Sequence, residues 1–250
     1  TDADVHFKPD LLKRSLSLAL AQGWDHVTLL PFGELEGFWE KTAITYWVGT
    51  FAVGLKPWRV SHPKAKEYVG VGAFQLVRRS TYEAIGTHQR LAMEVVEDVK
   101  LGKLVKLGGF RSGVALGGER LHIRWVEGLG EYVRNLSKNM FAACGFSVTY
   151  TLLLVFLSLA VTVLPLGGLL FASAAVRSVA AVCVLAAGLT HMKNGVRLCR
   201  ASSLYALTFP LGAALLSYTL LRSMVVTLWR GGVLWRDTFY PLKDLRKGMV

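Results

Sequence analysis

The sequence predicts an α/β domain in its first half, followed by two to three transmembrane helices. The chain is 52% hydrophobic, carries 18% charged residues and has a mean hydropathy of +0.39, which is too apolar for an ordinary soluble protein. Its three long apolar runs all lie in the second half. The first half alternates short strand-like and helix-like patterns, which is typical of an α/β domain.

Basic residues are concentrated beside the apolar runs. Before Val148 there are 19 Lys and Arg against 15 Asp and Glu, and from Val148 onward there are 10 against 2. A basic excess next to apolar segments is typical of a membrane protein that meets an anionic cytoplasmic leaflet. Nucleic-acid binders usually carry a dense basic stripe instead. We therefore expect the membrane, and no nucleic acid, among the partners of this chain.

The elements up to Gly86 follow from capping residues, periodicity and glycine stops. Asp10 can cap a helix over "LLKRSLSLALAQ", and Gly23 can end it. "HVTLLPF" predicts a strand. The aromatic stretch "GFWEKTAITYWVGTFAVG" predicts a helix, for which core packing is favoured over contact with a membrane surface. "YVGVGAFQLVRRSTYEAIG" predicts a strand, a turn at Arg79–Ser80 and a short helix that Gly86 ends.

The next elements lead from the domain towards the membrane. "VVEDVKLGKLVKLGG" predicts a helix with carboxylates first and lysines later, an order that suits the helix dipole, and Gly108 supplies its stop. "FRSGVALGGERLHIRW" predicts two strands joined at Gly117–Gly118. "VEGLGEYVRNLSKNMFAACGF" has apolar residues at helical spacing and carries Arg134 and Lys138. It predicts an amphipathic helix in the membrane interface, with an ordinary surface helix as the alternative.

Three apolar stretches follow this helix. "SVTYTLLLVFLSLAVTVLPLGGLL" is uncharged over more than the roughly 20 residues that a spanning helix needs. "FASAAVRSVAAVCVLAAGLTHM" is marginal because Arg177 lies within it. "SLYALTFPLGAALLSYTLLRSMVVTLW" contains Pro210 and Gly212, where it can break and return as a hairpin. The sequence therefore predicts two to three membrane helices.

The side on which the C-terminal tail lies depends on the last apolar stretch. With the first domain in the cytoplasm, the uncharged link "PLGGLLFASAA" is expected outside and the basic link "HMKNGVRLCRASS" inside. A hairpin in the last stretch returns the basic tail to the cytoplasm, which charge bias favours over a simple third span. The cations of this tail are Arg230, Arg236, Lys243, Arg246 and Lys247.

Two acidic pairs are the candidates for chemistry. Asp2-Ala3-Asp4 opens the chain, and Glu97-Asp98 opens a predicted helix. Taken alone, the first triplet fits a polar turn better than a metal site. The second pair also compensates a helix dipole, an interpretation that is compatible with a catalytic role.

The chain resembles the inverting family 2 glycosyltransferases of GT-A fold, a nucleotide-diphospho-sugar transferase fold. The likeness is to the membrane-anchored branch that includes ceramide glucosyltransferases and bacterial hopanoid- or carotenoid-associated enzymes. The similar segments follow the family's order over nearly the whole chain, although no single motif is specific. They are "TDADV", "GAFQLVRRSTYEAIG", "VVEDVKLGKLVKLGGFR", "IRWVEGLGEYVRNLSKNMF" and "WRGGVLWRDTFY".

The resemblance implies a role for each candidate residue. Asp2 and Asp4 would hold Mg²⁺ or Mn²⁺, with Asp4 as the more direct ligand, because a divalent cation neutralises a departing diphosphate. Asp98 would be the catalytic base, with Glu97 in support. The remaining candidates would bind substrates: Gly72 and Gln75 at the acceptor pocket, Arg124 and Trp125 at the diphosphate and acceptor side.

The family pattern is not complete. Relatives often carry Gln or Arg three residues before the Arg-Trp pair, where this chain has Leu121. Arg120 is one position away, and a one-residue shift in a strand turns a side chain to the opposite face. In this fold the half of the domain before the metal motif holds the nucleotide. That half is absent, so we expect the chain alone to bind nucleotide sugar poorly and to be inactive.

The expected protein is therefore a lipid-directed hexosyltransferase, with a nucleotide-diphospho-sugar as donor and a lipid hydroxyl as acceptor. We expect it in the cytoplasmic membrane, multi-pass, with the catalytic domain facing the cytoplasm. Two alternatives remain: a processive polysaccharide synthase, and a non-catalytic membrane anchoring protein. The predicted divisions are the second half of the GT-A domain (1–126), an interfacial helix (127–147), the transmembrane region (148–228) and a basic tail (229–250).

Overall fold

The computed structural model describes residues 1–235 and 237–250. Arg236, one of the cations predicted for the tail, lies outside the described residues. The described residues form two compact units. The first unit holds residues 1–34, 55–125 and 243–250, and the second holds residues 35–54 and 126–242. The chain therefore leaves the first unit twice and returns to it twice.

Helices and strands alternate in the first half of the chain, and helices dominate the second. In chain order the helices are α1 (Leu11–Gln22), α2 (Phe38–Leu55), α3 (Arg79–Ala84), α4 (Glu97–Leu107), α5 (Gly128–Ala143), α6 (Val148–Phe171), α7 (Ala174–His191), α8 (Phe209–Arg230) and α9 (Leu242–Lys247). The strands are β1 (Val5–Phe7), β2 (His26–Leu30), β3 (Phe32–Gly33), β4 (Gln75–Val77), β5 (Ser112–Leu116), β6 (Leu121–Ile123), β7 (Gly232–Trp235) and β8 (Thr238–Pro241). The predicted mixed α/β class is confirmed.

Two small sheets carry the β structure of the first unit. In one sheet β6 is central, antiparallel to β1 and parallel to β3. In the other β2 is central, antiparallel to β4 and parallel to β5. The central strands are covered on their faces, and Val27, Thr28 and Leu121 are fully buried. The sheets therefore give rigid support to the residues that precede β1 and follow β6.

Helix α1 has the predicted bounds. Leu11, Ser15 and Ala19 recur every four residues and are buried, so one face of the helix packs on the core. Gly23 ends the helix in the left-handed conformation (φ 62°), as predicted. The predicted cap at the other end is wrong. The carboxylate of Asp10 instead accepts hydrogen bonds from the side chains of Arg14 and Arg120.

The segment before α3 is only partly a strand. Residues 75–77 form β4, whereas residues 68–74 lie outside any ladder. The turn predicted at Arg79–Ser80 is wrong, because α3 begins at Arg79. Gly86 follows α3 with φ 87°, in agreement with its predicted role as a stop. Contacts with β2 hold the first part of the segment, since the hydroxyl of Thr28 donates to the carbonyl of Val69 (3.1 Å).

Helix α4 begins at the predicted acidic pair and ends before Gly108. Its apolar face is packed in a cluster with residues that follow α3. The members of this cluster are Ile85, Leu91, Leu101, Leu104 and Val105. Burial of this face fixes the direction in which the opposite, polar start of α4 points.

The C-terminal segment 243–250 folds as part of the first unit. Leu245 is buried, and Val250 packs against the cluster on α4. The carbonyl oxygen of Val250 accepts hydrogen bonds from the amino groups of Lys100 and Lys103, both at 2.7 Å. Its N–H donates to the carboxylate of Glu94, which is itself paired with Lys100. The segment is therefore anchored by both apolar and charged contacts.

The second unit contains three helical segments that are long and apolar enough to cross a membrane. They are residues Val148–Phe171, Ala174–Val196 and Ser203–Arg230. Helices α6 and α7 have three and two buried residues, whereas α8 has ten. Helix α8 packs along α5 and α6, and the hydroxyl of Ser223 in α8 accepts a hydrogen bond from the backbone N–H of Phe141 in α5 (2.9 Å). Of the three, α6 and α7 are thus the most exposed.

Two details of the predicted membrane region are wrong. Helix α8 is continuous, because Pro210 lies in its first turn, where a missing N–H breaks no helical bond. The predicted outer link is mostly helical, because α6 runs through Pro165 to Phe171 and α7 begins at Ala174. Arg177 consequently lies in the first turn of α7 and donates to the carbonyl of Ala172 (3.1 Å). This arginine therefore lies at a helix end and not in the middle of a helix.

Helix α2 packs inside the second unit. The hydroxyl of Tyr46 lies 3.3 Å from that of Ser158 on α6, and its ring lies against Gly212 on α8. Glu40 is 4% exposed and accepts a hydrogen bond from the N–H of Gly128, the first residue of α5 (3.2 Å). The carboxylate thus supplies the negative charge that a helix start favours.

Candidate active site

The two predicted acidic pairs converge on a single glycine of the first unit. The N–H of Gly72 donates to Oδ2 of Asp98 (3.0 Å), and the carbonyl of Gly72 accepts from the N–H of Asp2 (2.9 Å). Asp2 comes from the predicted metal motif and Asp98 is the predicted base. The structure therefore brings together one member of each pair, although they lie far apart in the sequence.

Close backbone contacts explain the glycines of "YVGVG". A Cβ at Gly72 would collide with the carboxylate of Asp2, and a Cβ at Gly70 would collide with the carbonyl oxygen of Asp98. On α4, a Cβ at Gly102 would collide with the carbonyl oxygen of Val69. Only glycine lets two backbones approach this closely. The start of α4 can therefore lie directly against residues 69–72.

The carboxylate of Asp98 is half-buried and lies in the first turn of α4. It accepts hydrogen bonds from the N–H groups of Val99 (2.7 Å) and Gly72. Burial raises the pKa of Asp98, the two N–H donors lower it, and the negative charge of nearby Asp2 raises it. The net result is a pKa above the ordinary value for aspartate. A carboxylate of this kind is a stronger proton acceptor than an exposed one.

A series of hydrogen-bonded polar side chains leads from the backbone of Asp98 into the core of the first unit. The amide nitrogen of Gln75 donates to the backbone carbonyl of Asp98 (3.3 Å). The amide oxygen of Gln75 lies 2.9 Å from Nε2 of His26, and Nδ1 of His26 lies 2.7 Å from the hydroxyl of Ser112. Because an amide oxygen only accepts, Nε2 carries the proton and Nδ1 accepts from Ser112. The series thus connects strands β4, β2 and β5 to the start of α4.

His26 is neutral at the centre of this series. It has no exposed surface, and burial lowers its pKa to about 4. His26 is not among the candidates that the sequence predicts. The available signal was alternation, because His26 and Thr28 share one face of an otherwise apolar strand.

Asp4 and Arg124 lie at the same end of the ladder between β1 and β6. Val5 pairs with Ile123 in this ladder, Asp4 immediately precedes β1, and Arg124 immediately follows β6. Asp4 is exposed and makes no hydrogen bond or ion pair with the described residues. The ladder thus places one cationic and one anionic candidate close to each other in space.

The other candidates lie in the same unit. Glu97 is half-buried and is the first residue of α4, beside Asp98. Trp125 is half-buried and is the last residue of the 55–125 part of the unit. Gly72 and Gln75, predicted to bind the acceptor, are the residues that bond to Asp98. Their observed contacts are therefore with the candidate base.

Arg120 does not replace the family residue that is missing at Leu121. Its guanidinium donates to the carboxylate of Asp10 (3.1 Å), outside the cluster of candidates. Leu121 is fully buried in a core with Leu11, Val27 and Leu29. The position three residues before Arg124–Trp125 is therefore occupied by a packing residue.

The aspartates could hold a divalent cation only if substrate phosphates and water supply its other ligands. Within residues 1–235 and 237–250 there is no group of three or more His, Cys, Asp or Glu side chains placed to hold a metal ion. Mg²⁺ is commonly bound through one or two carboxylates together with substrate phosphates and water. Asp2 and Asp4 supply such carboxylates at the surface. A cation beside Asp2 would also relieve the repulsion between Asp2 and Asp98.

Protein-family models, curated proteins and solved structures were compared with this chain, and none of them matches it. The resemblance to family 2 glycosyltransferases therefore stays a prediction. Interpretation of the site rests on the chemistry of its own residues.

Proposed function

We propose that this chain carries the base and the metal-binding aspartates of a membrane-bound, inverting glycosyltransferase. The donor is a nucleotide-diphospho-sugar, and the acceptor is a lipid or lipid-like hydroxyl. The observation that carries the proposal is the convergence of Asp2 and Asp98 on Gly72. The exposed carboxylate of Asp2, which could bind a cation, thus lies near the half-buried carboxylate of Asp98, which could accept a proton.

In the proposed reaction Asp98 acts as the general base. It takes the proton of the acceptor hydroxyl while the acceptor oxygen forms a bond to the anomeric carbon of the sugar. The bond from that carbon to the diphosphate breaks, and the diphosphate leaves with the electron pair. Attack on the face opposite the leaving group inverts the configuration. The raised pKa of Asp98 favours proton uptake.

The remaining candidates would serve the diphosphate and the acceptor. Asp2 and Asp4 would hold Mg²⁺ or Mn²⁺, which when bound supplies charge neutralisation for the leaving group. Arg124, at the same end of the β1–β6 ladder as Asp4, would donate to phosphate oxygens. Trp125 follows it in the chain and would line the acceptor side.

A membrane acceptor is supported by the second unit. Its three apolar helices are consistent with a membrane protein. A membrane location makes lipid hydroxyls available as acceptors. Processive synthases carry Gln or Arg three residues before the Arg-Trp pair, and this chain has Leu121 there. These two features favour a lipid acceptor over a growing polysaccharide.

The experiment is Asp98→Asn in the full-length protein, assayed in membranes with a panel of radiolabelled nucleotide sugars. Asparagine keeps the shape and can still accept from Gly72, and its NH2 group then faces the N–H of Val99. Loss of a general base typically costs about 10²–10⁴-fold in rate, and binding of the nucleotide sugar should be largely retained. Asp244→Asn, an exposed acidic position on α9, is the matched control. Near wild-type transfer by the Asp98→Asn protein would remove the base role and favour a non-catalytic anchoring protein.

Metal dependence gives a second test. Transfer should stop in excess chelator, and Asp4→Ala should weaken binding of Mn²⁺, followed by its electron paramagnetic resonance signal. Full activity in excess chelator would contradict the metal assignment while leaving the base assignment open to the first test.

A further inference from the structure

A basic loop with an exposed tryptophan follows α2. This basic loop, residues 56–66, has the sequence KPWRVSHPKAK and contains no acidic residue. Trp58 is 61% exposed, which is unusual for a side chain of this size. The four cations of the loop are Lys56, Arg59, Lys64 and Lys66.

The basic loop is an ordered structure. Pro57–Arg59 form a short helical turn, and hydrogen bonds join the backbone N–H groups of Arg59 and His62 to the carbonyls of Lys56 (2.8 Å) and Arg59 (2.9 Å). Val60 and Ala65 are buried and anchor the loop. Trp58 thus lies in a helical turn that backbone hydrogen bonds and the buried side chain of Val60 hold in place.

Most of the positive charge in the basic loop is not neutralised. Arg59 pairs with Glu67 (3.2 Å). Lys56, Lys64 and Lys66 are exposed and form no ion pair with the described residues. Three uncompensated cations around an outward tryptophan match an anionic lipid surface in both charge and polarity, because indole rings prefer the headgroup level and lysines bind anionic headgroups.

The position of the basic loop in the chain supports the same partner. Helix α2 belongs to the unit that holds the three apolar helices, and it ends at Leu55, immediately before the loop. The last turn of α2 exposes Val53. The loop is therefore continuous in sequence with a helix of the candidate membrane unit.

We propose that the basic loop binds the anionic headgroups of the bilayer, with Trp58 at the headgroup level. The contact would be a second membrane attachment, made by the first unit itself and separate from the apolar helices. It does not depend on the transfer reaction, so it can fail or hold independently of the proposed function.

The test uses the full chain in lipid nanodiscs, with a fluorescent label on a cysteine at Ser61. Cys144, Cys183 and Cys199 are first replaced by alanine. Ser61 is an exposed loop residue, and labelling it leaves Trp58 and the lysines intact. A label at Ser80, exposed on α3 of the same unit, is the control position. The readout is quenching by lipids that carry a spin label near the headgroup, in phosphatidylcholine discs with and without phosphatidylglycerol.

We expect quenching at position 61, stronger with phosphatidylglycerol and weaker at high salt, and none at position 80. Lys64→Gln and Lys66→Gln should each lower the ratio of bound to free loop by about fivefold, and Trp58→Ala should reduce quenching in both lipid mixtures. Lys13→Gln, an exposed lysine on α1, should change nothing. Absence of quenching at position 61, or equal quenching in both lipid mixtures, would overturn the proposal and leave an acidic protein as the partner to test. Thermal unfolding checks that each variant is folded.

Discussion

At the scale of single residues, the environment of Asp98 contains opposing effects. Its two N–H donors favour the ionised form, whereas burial and the charge of Asp2 disfavour it. The net effect is a raised pKa of Asp98. The folded protein therefore prefers the protonated carboxyl more than the unfolded chain does. Ionised Asp98 at neutral pH is therefore a cost to stability that a general base would justify.

The pH dependence of transfer tests this balance. A base must be ionised, so the rate should fall as the pH drops through the raised pKa of Asp98. Asp2→Asn removes a negative charge that raises this pKa, and the acid limb of the pH–rate profile should move to lower pH. Asp4→Asn changes a carboxylate that does not influence Asp98 in this way, so it should shift the limb less. The two profiles are compared after scaling each to its own maximum, and equal shifts would contradict the specific pairing of Asp2 with Asp98.

A second residue-scale prediction concerns His26. Its pKa is about 4 when folded and 6.5 in the unfolded reference, so the unfolded state binds more protons between these values. The neutral histidine therefore stabilises the fold by ~3 kcal/mol above pH 6.5, and this contribution is lost as the pH falls from 6.5 towards 4. Thermal unfolding in detergent, followed by tryptophan fluorescence, should show the decline. His26→Gln should have a lower melting temperature at pH 7.5 and a flatter pH dependence, and an unchanged slope would assign the decline to other groups.

At the scale of helices and strands, sequence rules predicted the helix bounds that depend on interactions between residues close in sequence. The bounds of α1 and the acidic start of α4 follow from periodicity, a glycine stop and the helix dipole. The cap at Asp10 could not be predicted, because Arg120 competes for the carboxylate and lies 110 positions away in sequence. The outer link was predicted too long, because Pro165 is accommodated inside α6, against the usual rule.

The site was predictable in part for the same reason. Acidic pairs are visible in sequence, and both members of the Asp2–Asp98 pair were selected. The hydrogen bonds that connect Ser112, His26 and Gln75 could not be predicted. They join three strands, and no local pattern reveals the order of these strands in the sheet. The reason for the glycines at positions 70 and 72 was not predicted from the sequence, and only the structure identifies Asp98 and Asp2 as their close neighbours.

The close approach of α4 yields a prediction at this scale. Gly70→Ala sets a Cβ against the carbonyl oxygen of Asp98, a backbone atom that cannot move without moving the helix start. We expect a loss of about 1–3 kcal/mol in stability, together with a loss of transfer activity. Gly54→Ala is the matched control, because nothing lies within 4 Å of its added Cβ and it lies in the last turn of α2. There alanine should be neutral or stabilising by up to about 1 kcal/mol. Equal melting temperatures for the two variants would show that the start of α4 is free to move.

At the scale of the whole molecule, the path of the chain limits how many helices cross the membrane. Residues 55–125 and residues 243–250 belong to one compact unit, together with residues 1–34. They therefore lie on the same side of any membrane that the intervening helices enter. An even number of crossings must separate them, although three segments are long and apolar enough to cross.

Burial indicates which helix does not complete a crossing. Helices α6 and α7 pack on each other and bury few residues, as two lipid-exposed helices of a hairpin would. Helix α8 has ten buried residues and packs along the amphipathic α5 through Ser223. We therefore expect two crossings, by α6 and α7, with α8 lying beside α5. The tail then returns to the side of the first unit without the predicted hairpin at Pro210.

Cysteine accessibility in intact cells tests this topology. Single cysteines replace Ser80 in the first unit, Ser173 between α6 and α7, and Lys247 in the tail, in a background without the three natural cysteines. Lys247 is chosen because it is exposed, whereas a side chain at Gly248 would press against Met93. With the first unit in the cytoplasm, a membrane-impermeant thiol reagent should label position 173 in intact cells and positions 80 and 247 only after lysis. Labelling of position 247 in intact cells while position 80 stays protected would mean that α8 crosses. In that case the tail could not fold as part of the first unit, and the bonds from Lys100 and Lys103 to Val250 would not form in the membrane-inserted protein.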